Sequence, residues 1–73
     1  PGGLMSSSIL FVTNHRATGD VTLDRARVLK SGAIGKERTV AFLRGVSFEE
    51  ARSAAYNYVW DNAGRFTIIG RSV

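Results

Sequence analysis

The stretch Val46–Gly64, VSFEEARSAAYNYVWDNAG, decides the fold, because its start, its buried face and its end can all be read from residue chemistry. Ser47 is followed three residues later by Glu50, so a hydroxyl and a carboxylate can each satisfy a free backbone N–H in a capping box. Glu49 and Glu50 add negative charge at the positive end of the helix dipole. A helix therefore begins near Phe48. Steps of three and four residues give Phe48, Ala51, Ala55, Tyr58 or Val59, and Asn62, with Ala54 at the edge, a mostly apolar stripe of helical period. The small alanines predict close approach to a sheet, with Phe48 and Val59 filling the ends. Gly64 supplies a left-handed position that stops the helix, for a length of about four turns or roughly 21 Å.

The rest of the chain must supply the sheet. On the C-terminal side, Arg65–Arg71 (RFTIIGR) alternates as a strand that folds back along the helix. On the N-terminal side, Arg38–Arg44 (RTVAFLR) is a strand broken by Gly45. Ile9–Thr13 (ILFVT) is β-branched and aromatic enough for a central strand covered on both faces, and Ser6–Ser8 is a polar lead-in. The polar loop Asn14–Asp20 ends in the turn signal Gly19-Asp20. Val21–Lys30 (VTLDRARVLK) is ambiguous: it alternates only fairly as a strand, and as a helix it would run from Thr22 to Ser31-Gly32. The glycine-rich Ser31–Lys36 and the clear strand beyond it favour an antiparallel hairpin with a six-residue tip. The expectation is one α+β domain over residues 5–73: an antiparallel sheet of three to four strands with one helix across one face. Pro1–Leu4 reads as a remnant of protease cleavage and cloning, with Met5 as the natural start.

Composition narrows the chemistry. Seventy-three residues hold one small core. With no cysteine, disulfides, thiolate metal sites and cysteine nucleophiles are excluded, which fits a reducing interior. No apolar run approaches the roughly 20 residues of a membrane span, so a soluble protein is expected. Ten Lys and Arg stand against six Asp and Glu, for a net charge of +4. The excess is local: Arg25, Arg27, Lys30, Lys36, Arg38 and Arg44 face only Glu37 between positions 25 and 44. Such a patch attracts nucleic acid or an acidic protein surface, or simply solvates one face of a sheet.

No constellation points to catalysis. The lone histidine, His15, has no nucleophile or orienting carboxylate in sequence reach and reads as a surface loop residue. The carboxylates are scattered, and two belong to the helix cap. Gly32-Ala33-Ile34-Gly35-Lys36-Glu37 lacks both the glycine spacing and the hydroxyl of a phosphate loop, and reads as a finger carrying Lys30, Lys36 and Arg38, with Ile34 at its apolar tip. The GxxG spacing there lies between strands, not between the helices of a KH module. Phe11, Phe42 and Phe66 read as core, so an RRM-type stacking face is not supported. Arg52, Tyr56 and Trp60 follow one another at helical spacing on the flank away from Ala51 and Ala55, and these residue types dominate binding hot spots.

With Met5-Ser6-Ser7-Ser8-Ile9-Leu10-Phe11-Val12 at one end, Ser47–Arg71 at the other, and its small size, basicity and want of catalytic residues, the chain resembles small bacteriophage-encoded regulators of host transcription, of the kind a Xanthomonas phage encodes. That resemblance implies an RNA polymerase inhibitor and antiterminator that binds the β′ subunit near its N-terminus and disfavours σ-dependent initiation. The partner-binding residues expected from the sequence are Lys30, Ile34, Lys36, Arg38, Arg44, Arg52, Tyr56 and Trp60. Neither cofactor nor metal is expected, nor enzyme activity, and the chain is expected to act as a monomer. The alternative is a small basic nucleic-acid-binding module using the same cations.

Overall fold

The computed structural model describes residues 7–73; residues 1–6, with the proposed remnant Pro1–Leu4, the start at Met5 and the beginning of the polar lead-in, lie outside them. The order of elements is β1 (Ser7–His15), β2 (Asp20–Arg27), β3 (Arg38–Leu43), α1 (Phe48–Asp61) and β4 (Arg65–Ser72). One four-stranded sheet, ordered β3-β2-β1-β4, carries the helix on one face, which is an α+β architecture. Of the ambiguous Val21–Lys30, Val21–Arg27 is strand, paired antiparallel with β1 on one side and β3 on the other, whereas Val28 makes only an isolated bridge to Ile34 and Lys30 lies in a turn, so the connection to β3 runs from Val28 to Glu37 and is longer than the expected six-residue tip. Ile9–Thr13 lies in an inner strand, as its composition predicts.

The sheet is mixed rather than wholly antiparallel. β4 runs parallel to β1, with Leu10 opposite Ile68 and Thr13 opposite Arg71. The helix is responsible: a helical crossover returns the chain to its starting end, so the strands it joins run the same way. Thus β3 leaves one edge, α1 passes over β2 and β1, and β4 lands on the far side.

The helix is built as its sequence directs. Glu50 N–H donates to Ser47 Oγ at 3.1 Å and Ser47 N–H to Glu50 Oε1 at 2.9 Å, completing the capping box. At the other end Asn62 is an extended cap, and Gly64, with φ of +116°, serves the turn into β4 instead of stopping the helix itself. Ala51 and Ala55 are buried and let α1 lie against Leu10 and Leu23, with Val12, Ala41, Tyr58, Val59, Phe66 and Ile68 around them. Two expected core residues are not there. Phe48 is 76% exposed, since the first turn overhangs Gly70, which offers no side chain to meet it, above a concavity of about 500 Å³. Phe42 is 56% exposed, because on edge strand β3 it faces away from the helix beneath Arg44.

One irregularity sets the layout of β3. Leu23 pairs with Ala41 but Asp24 pairs with Thr39, so Val40 is an extra residue, a bulge. In regular pleating Thr39 and Ala41 would share a face. The bulge parts them: Ala41 packs toward the helix, whereas Thr39 turns to the opposite face and Arg38 comes to lie opposite Arg25. None of the helices among the described residues is long and apolar enough to cross a membrane.

Candidate functional site

Three features stand out on this frame. The first is a polar centre on the sheet face away from the helix. Asp24 is 6% exposed and accepts hydrogen bonds from Thr13 (2.7 Å) and Thr22 (2.8 Å) on Oδ2 and from Thr39 (2.6 Å) on Oδ1. Each threonine spends its hydroxyl proton on the carboxylate. Thr22 Oγ1 is then an acceptor toward His15 Nε2 at 2.8 Å, which fixes the proton on that ring nitrogen, and Thr13 Oγ1 accepts from Arg71 Nε at 2.9 Å. Arg71 lies over the Phe11 ring, 4.0 Å from its centroid, and reaches Glu37 with both terminal nitrogens. Burial pushes the Asp24 carboxyl up, but the three hydroxyls and the Arg71 charge outweigh it and hold the pKa below the ordinary carboxylate range. The Arg71 hydrogen bonds lower Glu37 likewise, and Glu37 in turn raises Arg71.

This centre links all four strands: Thr39 from β3, Thr22 and Asp24 from β2, Thr13 and His15 from β1, and Arg71 from β4. It holds the sheet in register and contains no group placed as an activated nucleophile. His15, read as a loop residue, is the last residue of β1 and belongs to this network. The sequence did carry a signal for it, since Thr22 and Asp24 alternate with Leu23 along β2, and all three are buried.

The second feature is a basic end. An open concavity of about 380 Å³ is lined by Arg25, Arg27, Leu29, Gly35, Lys36 and Arg38. The β2–β3 connection forms it by folding on itself: Leu29 N–H donates to Ala33 O (2.8 Å), Gly35 N–H to Arg27 O (2.8 Å), and Val28 bridges Ile34. Gly35 permits that approach, as a Cβ there would stand 3.2 Å from Arg27 O. Arg25 is held by Tyr58 Oη at 3.0 Å, with its guanidinium 4.8 Å from the centroid of Phe66. None of the ion pairs among the described residues involves Arg25, Arg27, Lys36 or Arg38.

The third feature is the outer flank of α1. Trp60 is 89% and Tyr56 54% exposed, and Arg52 sits 6.0 Å over the Tyr56 ring. A shallow groove between this flank and edge strand β4 is lined by Phe48, Arg52 and Tyr56 on one side and Ile68 and Gly70 on the other.

The residues expected to bind a partner are therefore divided. Lys36 and Arg38 meet at the basic end, where they are joined by Arg25 and Arg27, which the sequence reading counted as basic but did not place in a site. Lys30 and the half-exposed Ile34 lie in the tip beyond. Arg44 is at the opposite end of β3, 4.0 Å from Asp20 and over Phe42, and does not belong to that patch. Arg52, Tyr56 and Trp60 form the separate helical row. The hairpin register would have revealed Arg25 opposite Arg38, but the bulge at Val40 hides it from simple alternation. No protein-family model, curated protein or solved structure matches the chain.

Proposed function

We propose that the chain is a non-enzymatic transcription regulator that binds host bacterial RNA polymerase, on the N-terminal region of β′, inhibiting σ-dependent initiation and promoting antitermination. The observation that carries a protein-binding reading is the row Arg52, Tyr56, Trp60 with Phe48: three large aromatic side chains and an arginine that the core does not use. Such residues supply interface hot spots when a partner desolvates them, and isolated exposure of this size on one 14-residue helix has no role in folding. The choice of polymerase rests on the resemblance to phage regulators. The basic surface would speed encounter with an acidic patch, while the aromatics would set the dissociation rate.

The test is capture from nuclease-treated bacterial lysate at about 0.15 M salt, where loose surface attraction is partly screened. Recovery of polymerase with the tagged protein, and its loss with Tyr56→Ala/Trp60→Ala, is the expected result. Polymerase that disappears on nuclease treatment, or is retained undiminished by the double variant, refutes the reading.

A further inference from the structure

We infer that the basic end of the sheet is a binding site for the phosphodiester backbone of a nucleic acid, with Arg25, Arg27, Lys36 and Arg38 as the contacting cations. This is separate from the polymerase reading, whose carrying observation is the α1 row Arg52, Tyr56 and Trp60 and not these four cations. The first support is a cost the fold bears: Arg25 and Arg38 are direct cross-strand partners, and like charges in that position destabilise a sheet. A polyanion lying along this end of the sheet offsets that cost. The second is that the bulge at Val40 and the glycine at position 35 are what bring the four cations together, the former by turning Arg38 to the face of Arg25 and the latter by letting the segment before Lys36 lie on the backbone of Arg27. The third is preorganisation, since Arg25 is fixed by Tyr58 and Phe66 rather than free in water.

The charge count favours a polymer. A phosphate monoester carries at most about two negative charges near neutral pH, half of what four cations neutralise, whereas consecutive phosphodiesters offer one each. Arg25 and Arg27 also project from one face of β2, about 7 Å apart at the strand rise, which suits a line of charges better than a point. No exposed aromatic lines the concavity, since Phe66 and Tyr58 are engaged with Arg25. Binding should therefore depend on the backbone and be indifferent to base sequence.

The measurement is fluorescence anisotropy of a labelled 20-nucleotide single strand, titrated with the full chain from about 50 to 300 mM salt. Four contacts predict a slope of log affinity against log salt near −3, at about −0.7 per neutralised phosphate. Arg27→Gln/Lys36→Gln, both at exposed side chains, should flatten it by about 1.4 while leaving the circular dichroism spectrum and urea midpoint unchanged. Arg44→Gln, at the other end of β3, should leave the slope unaltered. A strand of different sequence should bind equally. The inference is overturned by no saturable binding at the lowest salt, by equal flattening with Arg44→Gln, or by displacement by inorganic phosphate beyond that by chloride of the same ionic strength. Equal or tighter binding of polyglutamate would also overturn it, in favour of an acidic protein surface.

Discussion

Thr39 donates a 2.6 Å hydrogen bond to Asp24 from a strand that, in unbroken register, would turn that hydroxyl toward the helix. The bond depends on the extra residue Val40, and it completes a carboxylate whose three hydroxyl donors come from three different strands. The sheet face without a helix is thus organised by polar residues, and the energetics of the fold should be sensitive to one of them.

Asp24→Asn keeps one acceptor oxygen but places an amide among donors. It should cost about 1–3 kcal/mol, the penalty of leaving a buried polar group unpaired, and Asp24→Ala should cost more. Urea unfolding monitored by far-ultraviolet circular dichroism tests this, and a midpoint within experimental error of the parent for Asp24→Ala would show that the centre contributes nothing to stability.

The same carboxyl predicts the acid response. Its pKa is depressed in the folded state, so below the ordinary carboxylate value the unfolded chain binds more protons. Its contribution is complete above about pH 4–5 and is lost as pH falls through the folded pKa. Glu37 and Glu50, also depressed but exposed, act in the same direction. The melting temperature should be flat through neutral pH and fall in acid, and Asp24→Asn should fall less steeply. A parallel decline in both proteins contradicts the assignment.

Ala55 is fully buried where α1 meets the sheet. Ala55→Leu adds volume to a contact with no room for it and should destabilise by about 1–3 kcal/mol, which thermal or urea unfolding would register.

Relief of the like-charge pair should do the reverse. Arg38→Gln is expected to stabilise by a few tenths of a kcal/mol at low ionic strength, an advantage that fades as salt screens it. A lower urea midpoint for this variant at low salt would mean that Arg38 is favourably paired.

Trp60→Ala and Tyr56→Ala should leave stability within about 0.5 kcal/mol, as exposed substitutions do. If the helical row is the partner surface, each should weaken polymerase capture by tenfold or more, so the two readouts separate folding from binding.

The helix was legible because its signals are local: Ser47 and Glu50 write the cap, and Ala51 and Ala55 mark the close face. The strands followed from β-branched runs and glycines, including Val21–Arg27 of the ambiguous stretch, whose pairing follows from its neighbours, but the end of that strand at Arg27 did not. What local pattern could not carry was relative placement. The parallel pairing of β1 with β4 depends on where the helix lands, and the convergence of Arg25 with Arg38 depends on a bulge that alternation does not announce. Phe48 and Phe42 misled because hydrophobicity alone does not say whether a side chain has anything opposite it. Of the candidate site, Arg52, Tyr56 and Trp60 were found from spacing alone, whereas the Asp24 centre needed three strands assembled before its threonines became neighbours.

The pairing of β1 with β4 also governs the order in which this chain can fold. Thr13 and Arg71, joined by a hydrogen bond, are 58 positions apart. The β1–β2–β3 meander can assemble from near neighbours, yet inner strand β1 keeps one side unpaired until β4 has been synthesised. Contacts of such long range form slowly, because the intervening chain must first lose its freedom. Until β4 docks, the folding chain therefore carries an open strand edge on β1, and its capacity to add a foreign strand is greatest at that stage.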